Sequence, residues 1–153
     1  MQKTFFLILV TFLCLTLPVG AVLAFEMVSV KKDNVNMRSG PSTKRKVLWK
    51  LGQGFPLKVL KRSKEWMRVQ DFEGTVGWVH KSVVNRSRHM IVKVYKKSRK
   101  KINVRSGPSL KKKVVAKAYY GVVFKTLDQK SGWVKVSHGK IKGWVKRSLL
   151  WGF

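Results

Sequence analysis

From residue 25 onward, apolar and polar positions alternate with a period of two, the mark of strands with one buried face. The runs Met27-Val28-Ser29-Val30, Leu57-Lys58-Val59-Leu60, Ile91-Val92-Lys93-Val94 and Val122-Val123-Phe124-Lys125 are short and rich in β-branched residues. Clusters of Gly, Pro, Ser or Lys bound them, as strands require. No stretch of this region carries apolar residues at helical spacing between capping residues. Several short strands in every 50 residues or so predict an all-β chain of small barrels.

Turn chemistry places two hairpins. Asp71-Phe72-Glu73-Gly74 suits a type I turn followed by a glycine bulge, which sets Trp66 and Trp78 diagonally on one face. Ser137-His138-Gly139-Lys140 suits a two-residue turn. That turn would set Val136 against Ile141, Val134 against Gly143 and Trp133 opposite Trp144. Alternation opposes Val134 and Val136 to Trp133 and Lys135, and Met67 and Val69 to Trp66 and Arg68. Each hairpin should therefore carry a tryptophan pair among cations on one side. Cross-strand aromatic pairs also stabilise a sheet by themselves.

The chain repeats itself. Asn36-Met37-Arg38-Ser39-Gly40-Pro41-Ser42 returns 67 residues later as Asn103-Val104-Arg105-Ser106-Gly107-Pro108-Ser109. Both copies continue through a basic triplet, an apolar stretch, a tryptophan and Gly-Trp-Val. Internal repetition on this scale means two copies of one small module. The expected division is residues 25–84 for module 1, 85–90 for a linker, and 91–153 for module 2 with the apolar tail Leu150-Trp151-Gly152-Phe153.

The first 24 residues read as an export signal: Lys3, an uncharged run from Phe5 to Leu17, a Pro18 and Gly20 break, and Val22-Leu23-Ala24 for cleavage. Uncharged from Thr4 to Phe25, the same segment could nearly span a bilayer as an uncleaved anchor. The Pro-Gly break and Ala24 favour cleavage, with a periplasmic or secreted destination. Cys14, the single cysteine, lies inside this segment. The mature chain would then have no disulfide and no thiolate chemistry. Against 34 Lys and Arg stand 6 Asp and Glu, a net charge of +28. Such a charge points to anionic partners and says nothing of the fold. Export argues against chromosomal nucleic acid and for acidic envelope polymers.

These residues resemble the bacterial SH3 domains. The shared pattern is Val-Asn-x-Arg-Ser-Gly-Pro-Ser, a basic loop, an apolar strand, Gly, a second strand, Trp-x-x-Val and Gly-Trp-Val. The runs Trp66-Met67-Arg68-Val69, Glu73-Gly74-Thr75-Val76-Gly77-Trp78-Val79-His80 and Leu150-Trp151-Gly152 look like an alphaproteobacterial group of exported tandem SH3-domain proteins. The resemblance implies a five- or six-stranded barrel for each copy, usually non-catalytic and often bound to peptidoglycan. Relatives in that group often carry cysteines where this chain has Ser131-Gly132-Trp133-Val134.

The candidate binding residues follow from the repeat. Arg38 and Arg105 sit on the Arg-Ser-Gly-Pro-Ser elements, where the structural role is a strand entering a tight turn and the alternative is a guanidinium stacked on a tryptophan. Trp66, Arg68 and Trp78 in one copy match Trp133, Lys135 and Trp144 in the other. Lys44-Arg45-Lys46 and Lys111-Lys112-Lys113 occupy one place in both copies, either as solvated loops or as docking sites for an anionic polymer. Tyr119, Tyr120 and Trp49 are not shared, and either distinguish the ligands or fill an interface between modules. His80, His89 and His138 lack metal-ligand spacing, and no cofactor or catalytic site is expected. The expectation is an exported, non-enzymatic binder of peptidoglycan or another anionic envelope polymer. Alternatives are an envelope protein adaptor, or a secreted host-facing factor that binds nucleic acid or another polyanion.

Overall fold

A computed structural model describes residues 25–153, so the expected export signal and Cys14 lie outside the described residues. Seven strands form the first half: β1 (Met27–Val30), β2 (Val35–Arg38), β3 (Val47–Leu51), β4 (Pro56–Ser63), β5 (Trp66–Gln70), β6 (Val76–His80) and β7 (Val84–Asn85). Seven more form the second: β8 (His89–Val92), β9 (Ile102–Arg105), β10 (Val114–Ala118), β11 (Val123–Lys130), β12 (Trp133–His138), β13 (Ile141–Lys146) and β14 (Leu150–Gly152). A single 3-10 turn precedes the last strand of each half, Lys81–Val83 and Arg147–Leu149.

The sheet orders are β3-β2-β6-β5-β4-β1-β7 and β10-β9-β13-β12-β11-β8-β14, one order written twice. Every pairing is antiparallel. Each sheet closes on its own core. Val28, Val35, Met37, Leu57, Val69 and Val79 pack in the first, and Met90, Ile102, Val104, Phe124, Val134 and Val145 in the second. The two-module all-β expectation holds, with separate cores for the two copies.

Two segments of the expected division carry strands. Half of the stretch expected as a linker is sheet: Asn85 pairs with Ser29, and His89 and Met90 already belong to β8. Only residues 86–88 connect the modules, and even there the Arg88 carbonyl accepts the Thr126 N–H at 2.8 Å. The expected apolar tail is also a strand, since Leu150 pairs with Val92 and Trp151 with Ile91. Strand segments of two to four residues are too short for periodicity to show these pairings in sequence.

The module 1 hairpin follows its turn chemistry. Gly74 takes φ +91°, its N–H donates to the Asp71 carbonyl at 3.2 Å, and Asp71 Oδ1 accepts the amides of Glu73 and Thr75 at 2.9 and 2.8 Å. In module 2 the turn lies one residue later than expected. His138 pairs with Ile141, leaving Gly139 (φ +55°) and Lys140 as the two loop residues. Positive φ at the first loop position is the II′ arrangement that suits strand twist, and only glycine adopts it freely. Every pair therefore shifts by two: Val136 meets Gly143, Val134 meets Val145, and Trp133 meets Lys146 instead of Trp144. A shift of two keeps each side chain on its expected face.

Candidate ligand-binding faces

The corrected register makes the two modules match. Strand β6 lies between β2 and β5, so Trp78 has Arg38 on one side and Arg68 on the other. Lys61 of β4 extends this row beyond Arg68. In module 2, Trp144 lies between Arg105 and Lys135, and Asp128 takes the outer place. One row over, Trp66 faces His80 and Trp133 faces Lys146. All four tryptophans are half-buried, while Arg68 and Lys135 are exposed. The rings thus pack on the sheet and still present surface.

Arg38 and Arg105 do something more definite than stacking. Arg38 Nη1 donates to the Arg45 carbonyl and Arg105 Nη1 to the Lys112 carbonyl, both at 2.8 Å. The same turns are closed by Ser39 N–H to the Lys46 carbonyl and Ser106 N–H to the Lys113 carbonyl, each 2.9 Å. Ser42 and Ser109 hydroxyls accept the Lys44 and Lys111 amides at 3.2 Å. Gly40 and Gly107 leave room for the loop: a Cβ there would come within 3.0 Å of the Arg45 or Lys112 side chain. Lys44-Arg45-Lys46 and Lys111-Lys112-Lys113 are therefore exposed cations on a braced backbone, not a loose charge run.

A shallow groove opens beside each braced loop. In module 1 its lining includes Asn36, Arg38, Thr43, Trp66, His80 and Val83, enclosing about 240 Å³. In module 2 the corresponding residues Asn103, Arg105, Leu110, Trp133, Lys146 and Leu149 enclose about 140 Å³. Trp78 and Trp144 are absent from these linings, so each pair divides into a groove residue and a mid-sheet residue. Sequence reasoning missed Asn36 and Asn103 as groove residues, although both stand in the repeated motif. Asn36 Oδ1 is buried without a hydrogen-bond partner. It also missed His80 and Lys146, which only the register brings to the grooves.

The groove rims differ electrically. His80 Nδ1 accepts the Ser82 N–H at 3.3 Å and lies 2.7 Å from the Ser82 hydroxyl. Its Nε2 lies 4.0 Å from Glu65, whose carboxylate also pairs with Lys81 at 2.8 Å. The Lys81 hydrogen bond holds Glu65 below the usual carboxylate range. Trp66 meets the imidazole edge-on, with ring centres 5.3 Å apart. In module 2 the place of Glu65 is taken by Gly132: the Arg147 N–H reaches the Gly132 carbonyl as the Lys81 N–H reaches that of Glu65, both 2.8 Å. Among the described residues, no cluster of His, Cys, Asp and Glu could hold a metal ion.

The unshared aromatics separate as well. Tyr120 packs against Phe72 of module 1 at 5.3 Å and donates its hydroxyl to the Glu73 carboxylate. Lys96 pairs with the same carboxylate at 2.8 Å. Burial, with Glu73 beside it, raises the Tyr120 phenol above its ordinary range. Trp49 and Tyr119 are instead exposed, at 55% and 49%, so only Tyr120 fills the inter-module contact.

Models of the bacterial SH3 domain match residues 31–85 and again residues 100–150. The chain belongs to the bacterial SH3 domain family. As a tandem bacterial SH3 protein it is 24% identical over 127 residues to YrvJ of Bacillus subtilis (strain 168), whose name proposes N-acetylmuramoyl-L-alanine amidase activity. That similarity covers 79% of this chain and 24% of YrvJ, so the chain spans about a quarter of the curated relative it matches. Among solved structures it is similar to NlpC2 from Trichomonas vaginalis, with 12% identity, a TM-score of 0.37, and coverage of 85% of this chain and 49% of that one. An NlpC/P60 family protein from Bacillus cereus ATCC 10987 shows 11% identity, a TM-score of 0.38, and coverage of 82% and 56%.

Proposed function

We propose that this tandem bacterial SH3 protein is a non-enzymatic binding protein of the cell envelope. It holds peptidoglycan, or another anionic envelope polymer, on its two groove faces. One observation carries this reading: both copies carry an arginine-braced cationic loop at the rim of a groove walled by a half-buried tryptophan. Flat indole surface suits sugar rings and peptide, and the neighbouring ammonium and guanidinium groups suit carboxylate or phosphate. The grooves are shallow, which suits holding a polymer better than sheltering a reaction from water. Similarity to YrvJ, with its muramoyl-directed name, supports the wall as the partner. Among the described residues, no helix is long and apolar enough to cross a membrane.

Two weak grooves on one chain raise apparent affinity through effective concentration. The direct test is co-sedimentation with purified sacculi over a salt series. The expected result is pelleting at low salt that weakens as salt rises, because exposed cations carry much of the attraction. Absence of pelleting at low salt overturns the reading. Zymography on the same wall material is expected to stay blank.

A further inference from the structure

A pocket larger than either groove lies where the two modules meet. It encloses about 670 Å³, against about 240 and 140 Å³ in the grooves. Small-molecule sites span roughly 300 to 1,000 Å³, so this pocket has room that the grooves lack. Phe25 and Met27, two residues apart at the start of β1, turn one side of module 1 toward it. Trp151 and Phe153 do the same from the end of β14, so the apolar tail expected in sequence becomes a wall. That wall is anchored: the Phe153 N–H donates to the His89 carbonyl and Gln129 Nε2 to the Phe153 carbonyl, both at 3.4 Å. The charged side chains of the lining are Lys58, Lys93 and Arg147, with no acid among them. Lys58 is the cross-strand partner of Met27 and sets its Nζ 3.4 Å from the Phe25 ring centre. Arg147 donates to the Leu150 and Gly152 carbonyls at 3.1 Å, which fixes its charge in place. Lys93 is exposed at the rim. Glu26, the neighbouring acid, is turned instead to Arg62 and Arg86. Among the described residues, none of the three cations pairs with a carboxylate.

We infer that this inter-module pocket binds a free anionic amphiphile, an acyl chain ending in a carboxylate or phosphate. Apolar walls alone would take a neutral chain, and cations alone would take any polyanion. Here the two are combined. The acyl chain packs between Phe25 and Met27 on one side and Trp151 and Phe153 on the other. The head group supplies the negative charge that the three cations lack. A lipid kept in its bilayer would leave the apolar walls unused, which favours the free monomer. The site needs residues of both modules, so a single copy would not hold it. It is also independent of the two grooves and of the polymer they hold.

The probe is laurate, titrated below its micelle concentration at about pH 7.5, where a carboxylate is ionised. The readout is the Trp151 indole N–H signal in a nitrogen–proton correlation spectrum of the purified protein. A saturable Trp151 shift is expected, with the Trp66 and Trp133 signals of the grooves unmoved. Acetate, a head without a chain, should leave Trp151 in place. Dodecyl maltoside, a chain without a charge, should bind about tenfold more weakly than laurate. Lys58→Gln combined with Lys93→Gln should also weaken laurate by about tenfold. Phe25→Glu, at an exposed position, puts a carboxylate in the lining and should abolish the shift. Unmoved groove signals in these variants show that they are folded. No Trp151 shift, equal affinity for laurate and the maltoside, or a shift that spreads to Trp66 and Trp133 would overturn the inference. The wall-binding reading would stand in each case. Vesicles of phosphatidylglycerol test the other source of the same chemistry. Vesicle binding that the Lys58 and Lys93 pair of substitutions abolishes would overturn the free monomer in favour of a bilayer lipid. A response in the chain that begins at Phe25 but not in the full chain would assign the pocket to residues 1–24 and overturn it as well.

Discussion

Modules 1 and 2 agree strand for strand in order and pairing, yet they have diverged in what surrounds the sheet. The connection after the first strand is four residues long in module 1 and nine in module 2. The longer loop contributes Tyr95 and Lys101 to the module 2 groove, and its Lys96 reaches Glu73 across the inter-module contact. Five of the six acidic residues, Glu26, Asp33, Glu65, Asp71 and Glu73, lie in module 1, and only Asp128 lies in module 2. A duplicated fold keeps its hydrogen-bond ladder and buried face because the core depends on both. Rim charges and loop lengths cost the fold little when they change. The comparison therefore separates what the barrel needs from what its ligands select.

The largest effect should come from the Gly-Trp-Val glycines. A Cβ on Gly143 would lie 2.7 Å from the Arg105 carbonyl oxygen and 2.6 Å from Val104 Cγ1. Overpacking of this kind in a β13 strand pressed on β9 should destabilise module 2 by about 3 kcal/mol in Gly143→Ala. Gly77→Ala should cost module 1 less, because its closest neighbour at 2.6 Å is the flexible Met37 side chain and the Arg38 carbonyl is 3.1 Å away. Urea unfolding followed by tryptophan fluorescence measures both. Equal costs would mean the two strand crossings are tighter alike than these distances indicate.

Next is Asp71, buried and accepting two turn amides. Asp71→Ala should destabilise module 1 by roughly 2 kcal/mol, since those donors lose their acceptor. At the equivalent place in module 2, His138 is exposed, its Nδ1 lying 2.9 Å from the Val123 carbonyl and its ring meeting Phe124 edge-on at 6.1 Å. His138→Ala should cost under about 1 kcal/mol. A reversed order in thermal melts would break the comparison at the turns.

Arg38→Lys and Arg105→Lys should act alike, each losing a guanidinium bond that braces a basic loop, at about 1 kcal/mol. Faster amide exchange at Ser39 in one variant and Ser106 in the other is the expected readout. Sacculus affinity should fall in step as the triplets loosen. Unequal effects would show that one loop is braced by something other than its arginine.

The smallest effect is acid sensitivity. Arg62, Lys81 and Lys96 lower the carboxyls of Glu26, Glu65 and Glu73 by hydrogen bonding and charge. Folded carboxyls that bind protons less readily than unfolded ones stabilise fully above the ordinary glutamate value of about 4.3. That contribution fades as pH falls through their lowered folded values. Since all three lie in module 1, its melting temperature should fall first on acidification, measured by calorimetry from about pH 6 to about pH 3. All three carboxylates are largely solvated, so the shift should be modest.

Much of the site was legible early. The repeated Asn-x-Arg-Ser-Gly-Pro-Ser marked both arginines and both braced loops, and period-two alternation put Trp66 and Trp133 on the face away from the core. The diagonal of Trp66 and Trp78 followed from the Asp71 turn. In module 2 the expected turn at Ser137-His138-Gly139-Lys140 lay one residue too early, and only strand pairing corrected it. For the same reason His80 and Lys146 were not read as groove residues: neither is distinctive in sequence, and only pairing sets each opposite a tryptophan. Stacking of Arg38 and Arg105 on indole gave way to carbonyl bonds, because a guanidinium finds a fixed acceptor seven residues on in the chain's own turn.

The amino-acid order alone determined that there are two all-β copies with separate buried faces, since alternation and glycine-bearing turns are local properties that each segment carries wherever it lies. Which side chains become neighbours across β2, β6 and β5, where the short strands β7 and β14 attach, and how Tyr120 and Lys96 of one copy meet Glu73 of the other were decided only by the tertiary structure. Those are contacts between distant parts of the chain, set by register and packing, and no local pattern encodes them.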